Sequence, residues 1–156
     1  MTELQALATC GGVIALTGGV IGSSIGIGLA GTAGTAALSE DSGQLRNVII
    51  LSSMPMTQTF YGLIILIIVL TTVLGKVDAA GMGGALGVLA IGFIGGFAEC
   101  MSAIYQGAIC ASGIAMLPKT RGGVLLPSML LAVLVELIGV LGLVFSIMAL
   151  SILKLM

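Results

Sequence analysis

Glu136 is a lone carboxyl in the middle of a long apolar run, from Leu130 to Phe145. A carboxylate at the centre of a bilayer-spanning helix costs about 2.5–3.5 kcal/mol on insertion scales, so such a residue reads by default as a functional site. The alternative is a protonated acid hydrogen-bonded to a neighbouring helix. Thr57, Gln58 and Gln106 are the polar groups that lie at a matching depth. Thr57 is 12 residues from Leu45, Glu136 is 13 from Gly123 and Gln106 is 12 from Pro118. At a helical rise of 1.5 Å per residue this places all three roughly 18–20 Å from the same face. Pro55 has no N–H to donate, which frees a carbonyl one turn earlier, and the Met54 backbone carbonyl is a further candidate ligand. Tyr61 falls on the face of Gln58, three residues on, where it orients the carboxylate or packs. This donor set is all oxygen with one negative charge, which suits a hard cation. One charge matches Na⁺ better than Ca²⁺ or Mg²⁺, which take more charge or water. H⁺ is the alternative occupant, for which Thr57, Gln58 and Gln106 are more than is needed.

The elements that position these residues are expected to be membrane helices. The chain has 156 residues, 58% hydrophobic and 7% charged, with a mean hydropathy of +1.30. Soluble domains carry about 25% charged residues, so the chain reads as a multi-pass cell-membrane protein. A span needs about 20 apolar residues, and the pattern gives four: about 4–38, 45–74, 79–117 and 123–153. The polar turns between them are 39–44, 76–78 and 118–122. Positive-inside counting puts the first and third turns in the cytoplasm by three basic residues to two. A net charge of −1 excludes polyanion binding and predicts no nucleic-acid partner. The absence of His excludes a Cys–His nucleophile or a His/Cys metal site, and Cys10, Cys100 and Cys110 read as small packing residues. Met1-Thr2-Glu3-Leu4 lacks the basic region of a cleaved signal, so the first apolar segment is expected to remain as a span. No catalytic residue or nucleotide site is expected on this chain.

Gly18, Gly22, Gly26, Ala30 and Gly34 recur every four residues in the first span, and the third repeats the habit at Gly83, Gly87, Gly95, Ala103, Gly107, Ala111 and Ala115. Such small-residue stripes let neighbouring helices approach closely. The halves also match in order. Ser23, Ile25, Gly28 and Gly34 correspond to Ser102, Ile104, Gly107 and Gly113 at an offset of 79, and Leu45, Leu51, Gly62 and Ile67 to Leu125, Leu131, Gly142 and Ile147 at an offset of 80. This is a duplicated hairpin, residues 1–78 and 79–156. Both copies enter the membrane the same way, as a parallel repeat. Glu136 corresponds to Met56, so two hairpins share one carboxyl. Glu99, seven residues before Gln106, lies about 10 Å further from the first and third turns. Its readings are a second ion-related group, an acid facing a lumen, or, the favoured one, a neutral, hydrogen-bonded structural acid.

On the Gly-striped first and third helices, the duplicated hairpin, Pro55-Met56-Thr57-Gln58-Thr59-Phe60-Tyr61-Gly62, Tyr105-Gln106-Gly107 and the Glu136 segment, the chain resembles the ring-forming proteolipid (c or K) of V-type and A/V-type rotary ATPases. The P-x-T-Q-x-x-Y-G run and the third-helix Gln resemble its bacterial Na⁺-transporting branch. The resemblance implies Na⁺ ligands at Glu136, Gln106, Thr57, Gln58 and the Met54 carbonyl, with Tyr61 donating a hydrogen bond to the carboxylate. It implies a membrane rotor ring of identical copies, spans 1 and 3 inside, whose Glu136 faces lipid and exchanges its ion at a stator subunit bearing an Arg. ATP hydrolysis on partner subunits would turn the ring through central-stalk subunits that touch the first and third turns. Glu99, and Leu137 after the key acid, depart from the branch pattern. The rival classes are a proton-coupled four-helix exporter, which has its acid in the first helix and no duplication, and a channel-forming proteolipid.

Overall fold

The computed structural model describes all residues, 1–156, as helices with short connections. Helix α1 is Glu3–Glu40. The second span begins with a 3₁₀ turn at Ser42–Gln44 and α2, Leu45–Ser53; a second 3₁₀ turn at Met54–Met56 leads into α3, Thr57–Ile68, and a π-helical turn at Val69–Val73. Helix α4 is Val77–Thr120 and α5 is Leu125–Ile152. All four spans are long and apolar enough to cross a membrane, and the chain is an all-α, multi-pass membrane protein.

The ends differ from expectation by a few residues, for local reasons. Thr2 closes a capping box with Gln5, and both side chains also donate to Asp78, at 2.6 and 2.8 Å, which ties the start of α1 to the start of α4. The third turn was expected to begin at Pro118, yet α4 runs through that residue to Thr120 and stops where Arg121 turns left-handed at φ 50°. Gly122 follows at φ 84° and donates to the Leu117 carbonyl, so a left-handed cap ends the helix there. Near the other end of α4, Gly81 interrupts the helical backbone at φ 67°, ψ −162°, a conformation open essentially to glycine alone.

The centre of the bundle is α1 against α4. A methyl group at Gly22 would sit 2.5 Å from the Cys100 carbonyl oxygen, and one at Gly11 equally close to that of Val88. The glycine stripes therefore bring backbone against backbone, as small-residue stripes do in lipid. Helix α3 packs on α1, where a methyl at Gly62 would meet the Ala15 carbonyl at 2.5 Å, and α5 packs on α4. One apolar core, built around Val69, Val73, Val88 and Leu150, fills the end near the chain termini. A second, around Leu51, Ile114, Leu117 and Ala132, fills the end near the first and third turns. Between the two lie the fully buried polar side chains Gln58, Glu99 and Gln106, with Ser102 almost so.

Candidate cation-binding site

The site is built where span 2 loses its α-helical regularity. Pro55 cannot donate to Leu51, but the Leu51 carbonyl is not left free: the Met54 N–H takes it in a tighter turn. The Met54 carbonyl in turn accepts the Thr57 N–H, keeping one lone pair for another partner. Helix α3 then starts at Thr57, which sets Thr57, Gln58 and Tyr61 on its first turns.

Helix α4 brings Gln106 and α5 brings Glu136 to the same level. Tyr61 donates its hydroxyl to Glu136 Oε1 at 3.1 Å, and Gln106 Nε2 donates to Glu136 Oε2 at 3.2 Å. Gln58 Nε2 donates to Gln106 Oε1 at 2.9 Å. The Thr57 hydroxyl reaches Gln58 Oε1 at 3.2 Å and the Met54 carbonyl at 3.4 Å. Both contacts are long against the usual O–H···O length of about 2.7–2.8 Å. The Thr57 hydroxyl thus has two further oxygens, of Gln58 and Met54, within 3.4 Å. Thr57 has no hydrogen bond to Glu136 itself; it joins the cluster through Gln58. Glu136 is half-buried, flanked by the exposed Val133, Leu134 and Leu137, so its carboxyl meets protein on one side and lies at the outer surface of the bundle on the other.

Ser102 was missed from the sequence. It accepts from Gln58 Nε2 at 3.1 Å and donates to the Val135 carbonyl at 2.9 Å, linking α3, α4 and α5. The signal was its position one turn before Gln106 on the same helix face. Glu99 corrects an expectation: it is buried as supposed, with 0% exposure, but neither carboxyl oxygen has a hydrogen-bond partner. Its neighbours on α5 are Gly139 and Gly142, and a methyl at Gly139 would lie 2.7 Å from Glu99 Oε2. Polar side chains on this helix pair are therefore not all satisfied by one another.

Chemically, the arrangement holds one carboxylate at the rim of a helix bundle with hydroxyl and amide donors fixing both of its oxygens, and neutral oxygens gathered one step inward. It can bind a small cation against the carboxylate. Nothing in it is disposed as a nucleophile with a base.

Comparison with known proteins agrees with the architecture. Residues 10–69 match the model of the ATP synthase C-subunit family. The chain is 35% identical over 143 residues to the A-type ATP synthase subunit K of Methanocaldococcus jannaschii, an alignment that covers 89% of this chain and 61% of that protein. The chain thus spans about three fifths of the length of the relative it matches. By these matches the chain is similar to the ATP synthase C-subunit family over residues 10–69 and to an A-type ATP synthase subunit K.

Proposed function

We propose that the chain is the rotor-ring proteolipid of a rotary ATPase and carries Na⁺ on Glu136. Identical copies form a membrane ring; each Glu136 takes a cation, travels neutral past lipid, and releases it where a stator Arg competes for the carboxylate. Rotation is driven by ATP hydrolysis on partner subunits through a central stalk against the first and third turns. The observation that carries the reading is Glu136 itself, a membrane carboxyl at the outer edge of the bundle with both oxygens held by Tyr61 and Gln106. A charge at that depth is tolerable only when neutralised, and this links movement past lipid to occupancy. The similarity to an A-type ATP synthase subunit K supports the rotary assignment.

The choice of Na⁺ rests on the ligand set. Thr57 Oγ1, Gln58 Oε1 and the Met54 carbonyl are grouped beside the amide that holds Glu136. Neutral oxygens with one carboxylate suit a monovalent hard cation, with Gln106 joining through its own carbonyl oxygen and Tyr61 keeping the carboxylate aimed. Carbodiimide labelling of purified protein, with and without Na⁺ and across pH, tests this. Glu136 should be the labelled residue, protected by millimolar Na⁺ and not by K⁺. Labelling that ignores Na⁺ and falls only with rising pH would leave a proton ring instead.

A further inference from the structure

Glu99 is the one buried acid that this mechanism does not use. It sits inside α4 with no exposure, and both its oxygens lack a hydrogen-bond partner. An unpaired polar group in an apolar interior costs several kcal/mol, and a bare charge far more. No side chain supplies the missing charge. The chain's basic residues are Arg46, Lys76, Lys119, Arg121 and Lys154, and each lies in a turn or close to a helix end.

The α5 backbone packs closely against the carboxyl, and the polar cluster continues inward beside it. Facing it on α5 are Gly139 and Gly142. Methyl groups there would lie 2.7 Å from Oε2 and 3.5 Å from Oε1, and the Gly139 methyl would also be 3.1 Å from Ser102 Oγ. Oε2 is thus within about one water diameter of contact with Ser102, whose hydroxyl is bonded to Gln58 and through it to Gln106 and Glu136. The titratable groups presented to this region are Glu136 from α5 and Tyr61 from α3; α1 presents Gly18 and Gly22 to this stretch of α4.

We propose that Glu99 is the carboxylate of a second, inner site for an exchangeable monovalent cation, Na⁺ or H⁺, so that each chain holds two cations. The inner site adds to the reading of Glu136 as the exchanging outer carboxyl and rests on it. A cation supplies what the fold withholds from Glu99, a positive partner for oxygens that no donor reaches. At Gly139 any side chain would strike both the carboxyl and the Ser102 hydroxyl, so glycine is what fits opposite them.

Two measurements on the purified intact protein test the proposal. Radioactive Na⁺ binding counts Na⁺ per chain, and infrared spectroscopy in water and heavy water detects an un-ionised carboxylic acid and whether its proton exchanges. In the Glu136→Gln protein, one cation should remain, either as one bound Na⁺ or as a carboxylic-acid band that shifts in heavy water. Glu99→Gln, added to it, should abolish whichever is present. Either form supports the inner site and identifies its occupant. A Glu136→Gln protein with no bound Na⁺ and no acid band, or with a band that does not shift on prolonged exchange, would overturn it. Should the Glu99 variants fail to fold, the counts in the unmodified and Glu136→Gln proteins still decide. The outer site is judged separately, by whether Glu136→Gln removes one Na⁺ from the unmodified total.

Discussion

Replacing Tyr61 by Phe removes one hydroxyl and little else, and the structure sets the size of the effect. The hydroxyl donates to Glu136 Oε1 at 3.1 Å, a charge-assisted bond of the kind worth about 1.5–3 kcal/mol. Two features reduce that figure. The contact is longer than the 2.5–2.7 Å of strong O–H···O⁻ bonds, and Glu136 keeps its second donor, Gln106. Discounting to about 1–1.5 kcal/mol gives a roughly 5- to 12-fold loss of Na⁺ affinity, since 1.4 kcal/mol is tenfold. The assay is the rate of carbodiimide modification of Glu136 at fixed pH over a Na⁺ titration, where the half-protecting concentration should rise by that factor. The melting temperature should stay near that of the unmodified protein, because Tyr61 is only partly buried and the ring is retained. An unchanged half-protecting concentration would refute the orienting role and leave Tyr61 as packing. Complete loss of protection would show that the hydroxyl does far more than hold one oxygen.

Three further outcomes are expected. Glu136→Gln should assemble normally and lose Na⁺ transport to background in reconstituted vesicles, because the amide keeps the shape and the contact with Gln106 while removing the charge. Gly22→Ala should destabilise the bundle by about 1–3 kcal/mol, the usual cost of overpacking; the added methyl meets the Cys100 carbonyl oxygen at 2.5 Å and its Cα at 2.6 Å, and thermal unfolding in detergent would show it. Asp78→Ala removes the acceptor for Thr2 and Gln5; at these exposed positions the loss should stay near 1 kcal/mol, seen as faster amide hydrogen exchange confined to the first turns of α1.

Much of this was legible in the sequence because a membrane allows few solutions. Backbone groups must be satisfied within a helix, so apolar length alone located four spans, and a regular rise put Gln106 and Glu136 at one level. What escaped depends on contacts between helices. The glycine periodicity indicated close packing but not that the partner of Gly22 is Cys100. Pro55 announced a fault in span 2, whereas the π-helical turn at Val69–Val73, closed by the Leu74 N–H on the Val69 carbonyl at 3.1 Å, has no punctuating residue. Ser102 looked like one more small residue of a helix rich in them. Pro118 looked like a helix stop because local propensity disfavours it; the cap geometry a few residues on decides the end instead. Glu99 was expected to find a donor, and its partners are glycines.

The contact between α1 and α4 also has a mechanical meaning. Side chains absorb displacement by changing rotamer, and where one backbone rests on another there are none to change. The α1–α4 pair, with α3 held on α1 in the same way at Gly19 and Gly62, is therefore the stiff member of the molecule, and α5, whose glycines meet side chains of α4, is the compliant one. Gln106, Ser102, Thr57 and Tyr61 are mounted on the stiff member, while Glu136 is mounted on the compliant one. A displacement of α5 by a neighbouring surface would open the cluster on one side only, pulling Glu136 away from a fixed Gln106 and Tyr61. The bundle then works as a hinged clamp whose fixed jaw keeps its register through each opening.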